Sequence, residues 1–113
     1  MKYEEALALV QEEYETKRDS DHSHVICTGL TYNGCEGFCV VLYKDANGEA
    51  IITDMGETKE VFSEVPEKYW INLCKKAKCE FRHWSIVRKF RSIDDLDKYI
   101  RFLDKVSDRF CGL

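Results

Sequence analysis

Residues 38–56 read as an antiparallel β-hairpin, which constrains the fold more than any other stretch of the chain. Residues 38–43 are mostly aromatic and β-branched, and such side chains suit a half-buried strand. Asp45 and Gly48 supply the turn, because an Asp side chain can bond its own backbone and Gly tolerates a positive φ. Residues 50–53 form the returning strand. The chain is therefore expected to contain an antiparallel sheet.

The first third of the chain predicts one helix and one strand before this hairpin. Residues 2–18 are predicted to form an amphipathic helix, because apolar side chains recur at spacings of four, three and four. The stripe that they form consists of Tyr3, Leu7, Val10 and Tyr14. Residues 19–24 are expected to be a polar connection and residues 25–30 a strand. Residues 31–37 are expected to be a loop or hairpin that turns at an Asn-Gly pair.

The second half of the chain predicts two longer helices separated by an extended segment. Residues 57–63 are expected to form one helical turn. A helix over residues 66–76 starts at Pro66, whose fixed φ suits the first helical position. Its predicted inner side carries Tyr69, Trp70, Leu73 and Ala77. Residues 78–90 are expected to be one long strand or two short ones.

The last helix is predicted to begin at a capping-box-like pair, Ser92 and Asp95. Its predicted buried face consists of Ile93, Leu96, Ile100, Leu103 and Phe110, with Tyr99 and Val106 beside it. The element order is thus helix, three strands, helix, one or two strands, helix. This order predicts an α+β fold in which an antiparallel sheet of four to five strands packs against helices.

Length and composition predict a single domain over residues 1–113. Hydrophobic residues make up 44% of the chain and charged residues 34%, which is a globular balance and argues against disorder. No apolar run approaches the roughly 18 residues of a membrane span. The N-terminal residues are acidic and amphipathic, unlike a secretion signal. We therefore expect a cytoplasmic protein without membrane association.

The six cysteines are expected to be reduced and free of metal in that compartment. They are Cys27, Cys35, Cys39, Cys74, Cys79 and Cys111. The two closest pairs have three or four residues between the thiols, whereas structural zinc sites favour two. Free cysteines commonly act as small buried hydrophobes. No metal site and no cofactor is predicted.

Residues 25–58 resemble the domain of unknown function 1828 family, which is found in Gram-positive bacteria and their phages. The resemblance rests on a strand of the type Val40-Val41-Leu42-Tyr43, a Gly-containing turn, and the run Ile52-Thr53-Asp54-Met55-Gly56-Glu57-Thr58. The family's polar, Asp-containing loop is replaced here by Asn33-Gly34-Cys35-Glu36-Gly37. The resemblance implies a prophage or mobile-element origin, and it brings no established activity. The predicted element order is also similar to that of type III secretion chaperones, which are small, acidic and dimeric.

The strongest catalytic constellation in the sequence is Asp45 or Asp54 with Glu57 and Lys59. An acidic residue upstream of a Glu-x-Lys unit is the metal-binding core of one nuclease superfamily, where carboxylates hold Mg²⁺ and the Lys assists the attacking water. In those enzymes the unit lies on a central strand, whereas here it follows Gly56 at a turn. No nucleophile motif surrounds His83, and no Gly-rich loop opens a helix. We therefore expect a protein that is not an enzyme, with a metal-dependent nuclease as the least unlikely activity.

Positive charge is concentrated in residues 75–91, whose net charge is +6 in a chain of net charge −4. Its seven cations are Lys75, Lys76, Lys78, Arg82, Arg88, Lys89 and Arg91. Phe81, His83, Trp84 and Phe90 interleave with them, as aromatics do on single-strand-binding surfaces. Alternatively, the aromatics point into the core and the cations to solvent. The candidate binding residues are Arg82, His83, Trp84, Arg88 and Lys89.

Several functions remain open from the sequence. The first is a small non-enzymatic protein-binding factor, such as an inhibitor, adaptor or immunity-type protein of a prophage or mobile element, acting as a monomer or homodimer on another protein. The second is a nucleic-acid-binding protein that uses residues 75–91, although the overall negative charge opposes phosphate. The third is a peptide binder resembling the secretion chaperones.

Overall fold

The computed structural model describes residues 1–32, 36–37 and 40–110. Its helices are α1 (Tyr3–Glu13), α2 (Glu57–Val61), α3 (Glu67–Lys76) and α4 (Ile93–Arg109). Its strands are β1 (Glu15–Ser20), β2 (Ser23–Cys27), β3 (Thr31–Tyr32), β4 (Glu36–Gly37), β5 (Val40–Lys44), β6 (Ala50–Thr53), β7 (Glu80–Arg82) and β8 (Ser85–Lys89). The predicted α+β class is confirmed. None of the helices in these ranges is both long and apolar enough to cross a membrane.

Six of the described strands form one antiparallel sheet in the order β1-β2-β5-β6-β8-β7. The short strands β3 and β4 pair separately. The sheet thus has more strands than the four to five that the sequence predicted. The additional strand is β1. Of the two alternatives predicted for residues 78–90, two short strands form, because this segment folds back on itself as β7 and β8.

The central hairpin forms as predicted in its described part, with Val41 opposite Thr53 and Tyr43 opposite Ile51. Asp45 holds the turn, because its Oδ1 accepts hydrogen bonds from the backbone N–H groups of Asn47 (2.8 Å) and Glu49 (2.9 Å). Gly48 has a φ of +81°, which a residue without Cβ adopts without steric cost. The first two residues of the predicted strand, 38 and 39, lie outside the described residues.

The prediction of a first helix reaching residue 18 is wrong, because α1 ends at Glu13 and Tyr14 is already extended. The polar connection predicted for residues 19–24 is also wrong, since β1 and β2 form a hairpin that turns at Asp21 and His22. Physically, β1 offers no apolar side chain that a continuing helix could bury. Pairing with β2 satisfies its backbone while its charged side chains remain in water, as is usual for an edge strand.

The helices pack on one face of the sheet and enclose the core. The strands contribute Ile26, Leu42, Ile52 and Ile86, and α4 contributes Leu96, Tyr99, Leu103 and Val106. This agrees with the buried face predicted for α4, where Ile93 and Phe110 are only partly buried. Trp70 is the buried anchor of α3, whereas Tyr69, which the sequence placed on the inner side, is 51% exposed.

Candidate protein-interaction surface

The residues that carry the family resemblance form a buried structural junction around Asp54. Asp54 is fully buried, and its Oδ1 accepts hydrogen bonds from the backbone N–H groups of Gly56 (3.0 Å) and Ile86 (2.9 Å). Its Oδ2 accepts a third from the Thr58 N–H at 3.1 Å. The Thr58 hydroxyl, also buried, lies 2.5 Å from the Tyr32 hydroxyl. The run from Thr53 to Thr58 therefore joins β6, α2 and β8, which is a structural role.

The junction includes Asp54, one of the carboxylates of the predicted nuclease constellation. The Asp54 carboxylate is turned into the protein and Asp45 bonds its own turn, so both carboxylates serve the backbone. Lys59 donates to the Ser63 carbonyl at 3.0 Å and lies over the Trp84 ring. Across the described residues, no three His, Cys, Asp or Glu side chains converge on a point that could hold a metal ion. Within the described residues, Asp45 and Asp54 are therefore held by backbone N–H groups at two different turns.

The described cysteines lie in positions typical of hydrophobic packing. Cys74 and Cys79 are buried free thiols, and Cys27 is a partly exposed one. Burial raises the pKa of Cys74 to about 12 and also raises the pKa of Cys79. A thiol with a raised pKa is a poor nucleophile and a poor metal ligand at neutral pH, because both roles require the thiolate. Cys35, Cys39 and Cys111 lie outside the described residues.

Two tight turns lie side by side where β6 and β7 end and β8 begins, at one end of the sheet. The first follows β6, where Met55 and Gly56 have φ values of 56° and 77°. The second joins β7 to β8, where His83 and Trp84 have φ values of 51° and 65°. The turns are in contact, since a Cβ atom on Gly56 would lie only 3.4 Å from the Trp84 carbonyl oxygen.

The backbone conformation of the β7–β8 turn is unfavourable for the two residues that form it. Arg82 and Ser85 are directly paired, so His83 and Trp84 form a two-residue loop in which both φ values are positive, as in a type I′ turn. Asn and Gly favour this geometry, whereas a bulky side chain at positive φ is strained. The chain therefore holds a bulky aromatic residue at a position where a smaller residue would be more stable.

These turns present apolar and cationic side chains to solvent. Met55 is 64% exposed and Trp84 is 56% exposed, and the neighbouring Arg82 and His83 are exposed as well. We refer to Met55, Arg82, His83 and Trp84 as the Trp84 surface. Sequence reasoning missed Met55, although an apolar residue between Asp and Gly in a turn could have indicated it.

Trp84 is supported from beneath by other rings. Phe81 meets it edge to face at a centroid distance of 6.3 Å, and Phe81 in turn stacks on the buried Trp70 at 6.3 Å. The Lys59 ammonium lies 5.5 Å from the centroid of the Trp84 ring. The indole is therefore fixed to the core on one side while its remaining surface is free to meet a partner.

The structure separates the five binding residues that the sequence proposed. Arg82, His83 and Trp84 lie together, whereas Lys89 is exposed at the far end of β8. Arg88 differs from the other four, because its side chain is directed towards the helices. It pairs in register with the core residue Ile52, so the alternation of β8 turns its side chain inward.

Arg88 instead forms a buried ion pair with Asp95. The exposed fractions of the two side chains are 9% and 13%. Arg88 also donates from Nη1 to the Ala77 carbonyl at 3.0 Å. Burial by itself raises the pKa of Asp95, but the hydrogen bonds from Arg88 and from the Arg91 N–H outweigh it, so that the pKa is lowered.

The predicted capping box does not form. The Ser92 side chain makes no capping hydrogen bond, and Asp95 Oδ2 accepts from the Arg91 N–H at 2.9 Å. The first turn of α4 is therefore held by the Asp95 carboxylate. The sequence identified Asp95 as a capping residue, but the groups that it binds are the Arg88 guanidinium and the Arg91 N–H.

Two of the four aromatic side chains of residues 75–91 point towards the core. Phe81 is half-buried against Trp70, and Phe90 is fully buried in the core. Among the described residues of this segment, Trp84 is thus the only exposed Phe, Tyr or Trp side chain. A surface that stacks successive bases needs several such rings, so this arrangement favours the inward-facing interpretation of the aromatics.

No protein-family model matches the chain, and neither a curated protein nor a solved structure is similar enough to match it. The resemblance of residues 25–58 to the domain of unknown function 1828 family therefore stays a prediction.

Proposed function

We propose that the chain is a small non-enzymatic protein-binding factor that engages its partner through the Trp84 surface. Its class is that of an inhibitor, adaptor or immunity-type protein of a prophage or mobile element, acting in the cytoplasm. The observation that carries the proposal is an exposed Trp84 held at a φ of 65° in a tight turn. Strain of this kind persists where function requires it.

The chemistry of the Trp84 surface supports a protein partner. Trp and Arg dominate binding hot spots, and Met is enriched at interfaces relative to the rest of a protein surface. Hot-spot side chains also bind best when they are held rigidly before binding, because less conformational freedom is lost. Phe81 and Trp70 give Trp84 that support from the core side.

The proposal is tested by cross-linking in the native host, followed by purification of the chain and identification of what is attached. Trp84→Ala is the decisive variant. Tyr69→Ala is the matched control, because Tyr69 is an equally exposed aromatic on α3, outside the Trp84 surface. Unfolding in urea establishes that both variants remain folded.

We expect one protein to be recovered with the wild type and with Tyr69→Ala, and to be lost with Trp84→Ala. Equal recovery with Trp84→Ala and the wild type would contradict the proposal. So would recovery that disappears after nuclease treatment.

Nucleic-acid binding is kept as a second candidate because Lys78, Arg82, Lys89 and Arg91 are all exposed. Four phosphate contacts by these cations would give a slope of about −3 to −4 in log K against log salt. Stacking of a base on Trp84 would make Trp84→Ala cost roughly 1–3 kcal/mol of binding free energy. We expect no detectable oligonucleotide binding even at low salt, because the net charge of −4 repels phosphate.

A further inference from the structure

The sheet face opposite the core carries two clefts that are lined by strand, turn and connecting residues, with none from the helices. One cleft, of about 480 Å³, reaches from the β1–β2 turn to the β7–β8 turn. The second, of about 460 Å³, extends from the β5–β6 turn to the end of β8. Arg82 and Val87 line both, so the two clefts lie next to each other. We call this feature the sheet groove.

The floor of the sheet groove is mostly aliphatic. Val41 lies opposite Thr53, and Thr53 lies opposite Val87, so these side chains share one face of three neighbouring strands. Ile51 continues this floor into the second cleft. All four are buried, yet none belongs to the core cluster beneath the helices. These four side chains are only 3–7% exposed, so an apolar segment reaches them where it displaces the longer side chains that line the clefts, such as Tyr43 and Arg82.

The carboxylates that line the sheet groove are already engaged within the chain. Asp19 accepts a hydrogen bond from the Ser23 hydroxyl at 3.1 Å, and Asp45 accepts two from its own turn. Glu80 forms an ion pair with Arg82 at 3.4 Å. These carboxylates therefore face neighbouring groups of the chain that already stabilise their charge.

Several groove cations lack a comparable partner. Within the ranges that the structure describes, Lys78, Lys89 and Arg91 have no ion-pair partner, and all three are exposed. They line the second cleft together. A chain of net charge −4 thus presents unneutralised positive charge beside an apolar floor.

We infer that the sheet groove binds an acidic, apolar-bearing segment of a partner protein. Carboxylates of that segment meet Lys78, Lys89 and Arg91, and its apolar side chains lie on the floor. Opposite charge is the complementarity that steers such an encounter. The inference rests on the proposed function, since Met55, Arg82 and His83 line the groove and join it to the Trp84 surface.

The floor argues for a protein segment over nucleic acid. The first cleft is lined by Tyr43 and His83, but among the described residues the second cleft, where the unpaired cations lie, has no aromatic lining residue on which a base could stack. Stacking provides much of the affinity for single strands. The same floor suits leucine or phenylalanine side chains, which gain free energy by leaving water.

The test uses a short fluorescent peptide in which Glu alternates with Leu, with binding followed by anisotropy. Two control peptides replace every Glu by Lys or every Leu by Ser. Lys89→Glu reverses a groove cation. Lys75→Glu is its matched control, because Lys75 is an exposed cation of the same basic segment on α3, outside the groove.

We expect the Glu-Leu peptide to bind and both control peptides to bind at least about tenfold more weakly. Lys89→Glu should weaken binding by about tenfold, as expected for reversal of a charge near a surface partner, and Lys75→Glu should leave it unchanged. Circular dichroism checks that both variants are folded.

Four results of the peptide assay would overturn the inference. They are absence of peptide binding, equal binding of the Lys-Leu peptide, equal weakening by Lys75→Glu, and competition by an oligonucleotide of equal charge. A concentration-dependent dimer that Lys89→Glu dissociates would also overturn it, because the occupant would then be a second copy. Failure here is distinct from failure of the proposed function, which depends on loss of the cellular partner with Trp84→Ala.

Discussion

Arg88 on β8 and Asp95 in the first turn of α4 form a buried ion pair, with Arg88 Nη2 2.7 Å from Asp95 Oδ1. Arg88 Nε donates to the same oxygen at 3.1 Å, and Nη1 donates to the carbonyl of Ala77 just after α3. One guanidinium thus connects the sheet to the last two helices. Because the pair is buried, the loss of either member leaves a charge without compensation.

Asp95→Asn is therefore expected to lower the free energy of unfolding by about 3–5 kcal/mol, since it leaves Arg88 buried without its counter-charge. The control is Asp94→Asn, which removes an exposed pair with Lys98 and should cost no more than about 0.5 kcal/mol. Urea unfolding of the three proteins measures both values. A loss below about 1 kcal/mol for Asp95→Asn would show that the ion pair contributes little to the stability of the fold.

The same pair predicts how stability depends on pH. The folded-state pKa of Asp95 is lowered, so its contribution is present above the unfolded value, near 3.9, and is lost as the pH falls through the folded value. The stability gap between the wild type and Asp95→Asn should therefore be full at neutral pH and shrink below about pH 4. Urea unfolding at a series of pH values measures this gap. A stability difference that stays constant at acidic pH would contradict the lowered pKa of Asp95.

Leu42→Ala and Leu103→Ala are each expected to destabilise the fold by roughly 2–4 kcal/mol, because both side chains are fully buried between the sheet and the helices. Leu30→Ala is the control, since Leu30 is exposed and its loss should have little effect. Chemical denaturation gives all three values. A loss below about 0.5 kcal/mol at either buried position would mean that its packing is wrongly described.

The end of α3 offers a stabilising substitution. The Lys78 N–H donates to Lys75 O at 3.2 Å and the Cys79 N–H donates to Cys74 O at 2.8 Å, which is a Schellman motif with Lys78 at its left-handed position. Lys78→Gly should raise the free energy of unfolding by about 0.5–1 kcal/mol, because Gly adopts a φ of 60° without strain.

Lys75→Gly, within the helix, is the matched control for that substitution and should lower stability by roughly 0.5–1 kcal/mol. Thermal or urea unfolding distinguishes the two. If Lys78→Gly destabilised the protein as much as Lys75→Gly, the left-handed assignment at residue 78 would be wrong.

The parts of the fold that could be predicted from the sequence are those fixed by local chemistry. The Asp45 turn is one, because the side chain that marks it also makes its hydrogen bonds. The apolar face of α4 is another, because a 3.6-residue period needs no knowledge of the partner that covers it.

The missed elements depend on distant contacts. Glu15–Ser20 is polar throughout, so a helix face and an edge strand look alike there, and only pairing with β2 decides between them. The turn at His83 and Trp84 carries none of the Asn-Gly signal that marks such loops. Without that turn the direction of the Arg88 side chain could not be assigned, so its ion pair with Asp95 could not be predicted.

The most direct test of the Trp84 surface is the double substitution His83→Asn with Trp84→Gly, measured for stability and for recovery of the cross-linked partner. Asn-Gly is the pair that suits a type I′ turn, so relief of strain should raise the free energy of unfolding by about 1 kcal/mol even after loss of the ring contact with Phe81. The account predicts a more stable protein that no longer captures its partner. A variant that is no more stable, or that still captures the partner as the wild type does, would contradict the claim that this turn is strained for binding.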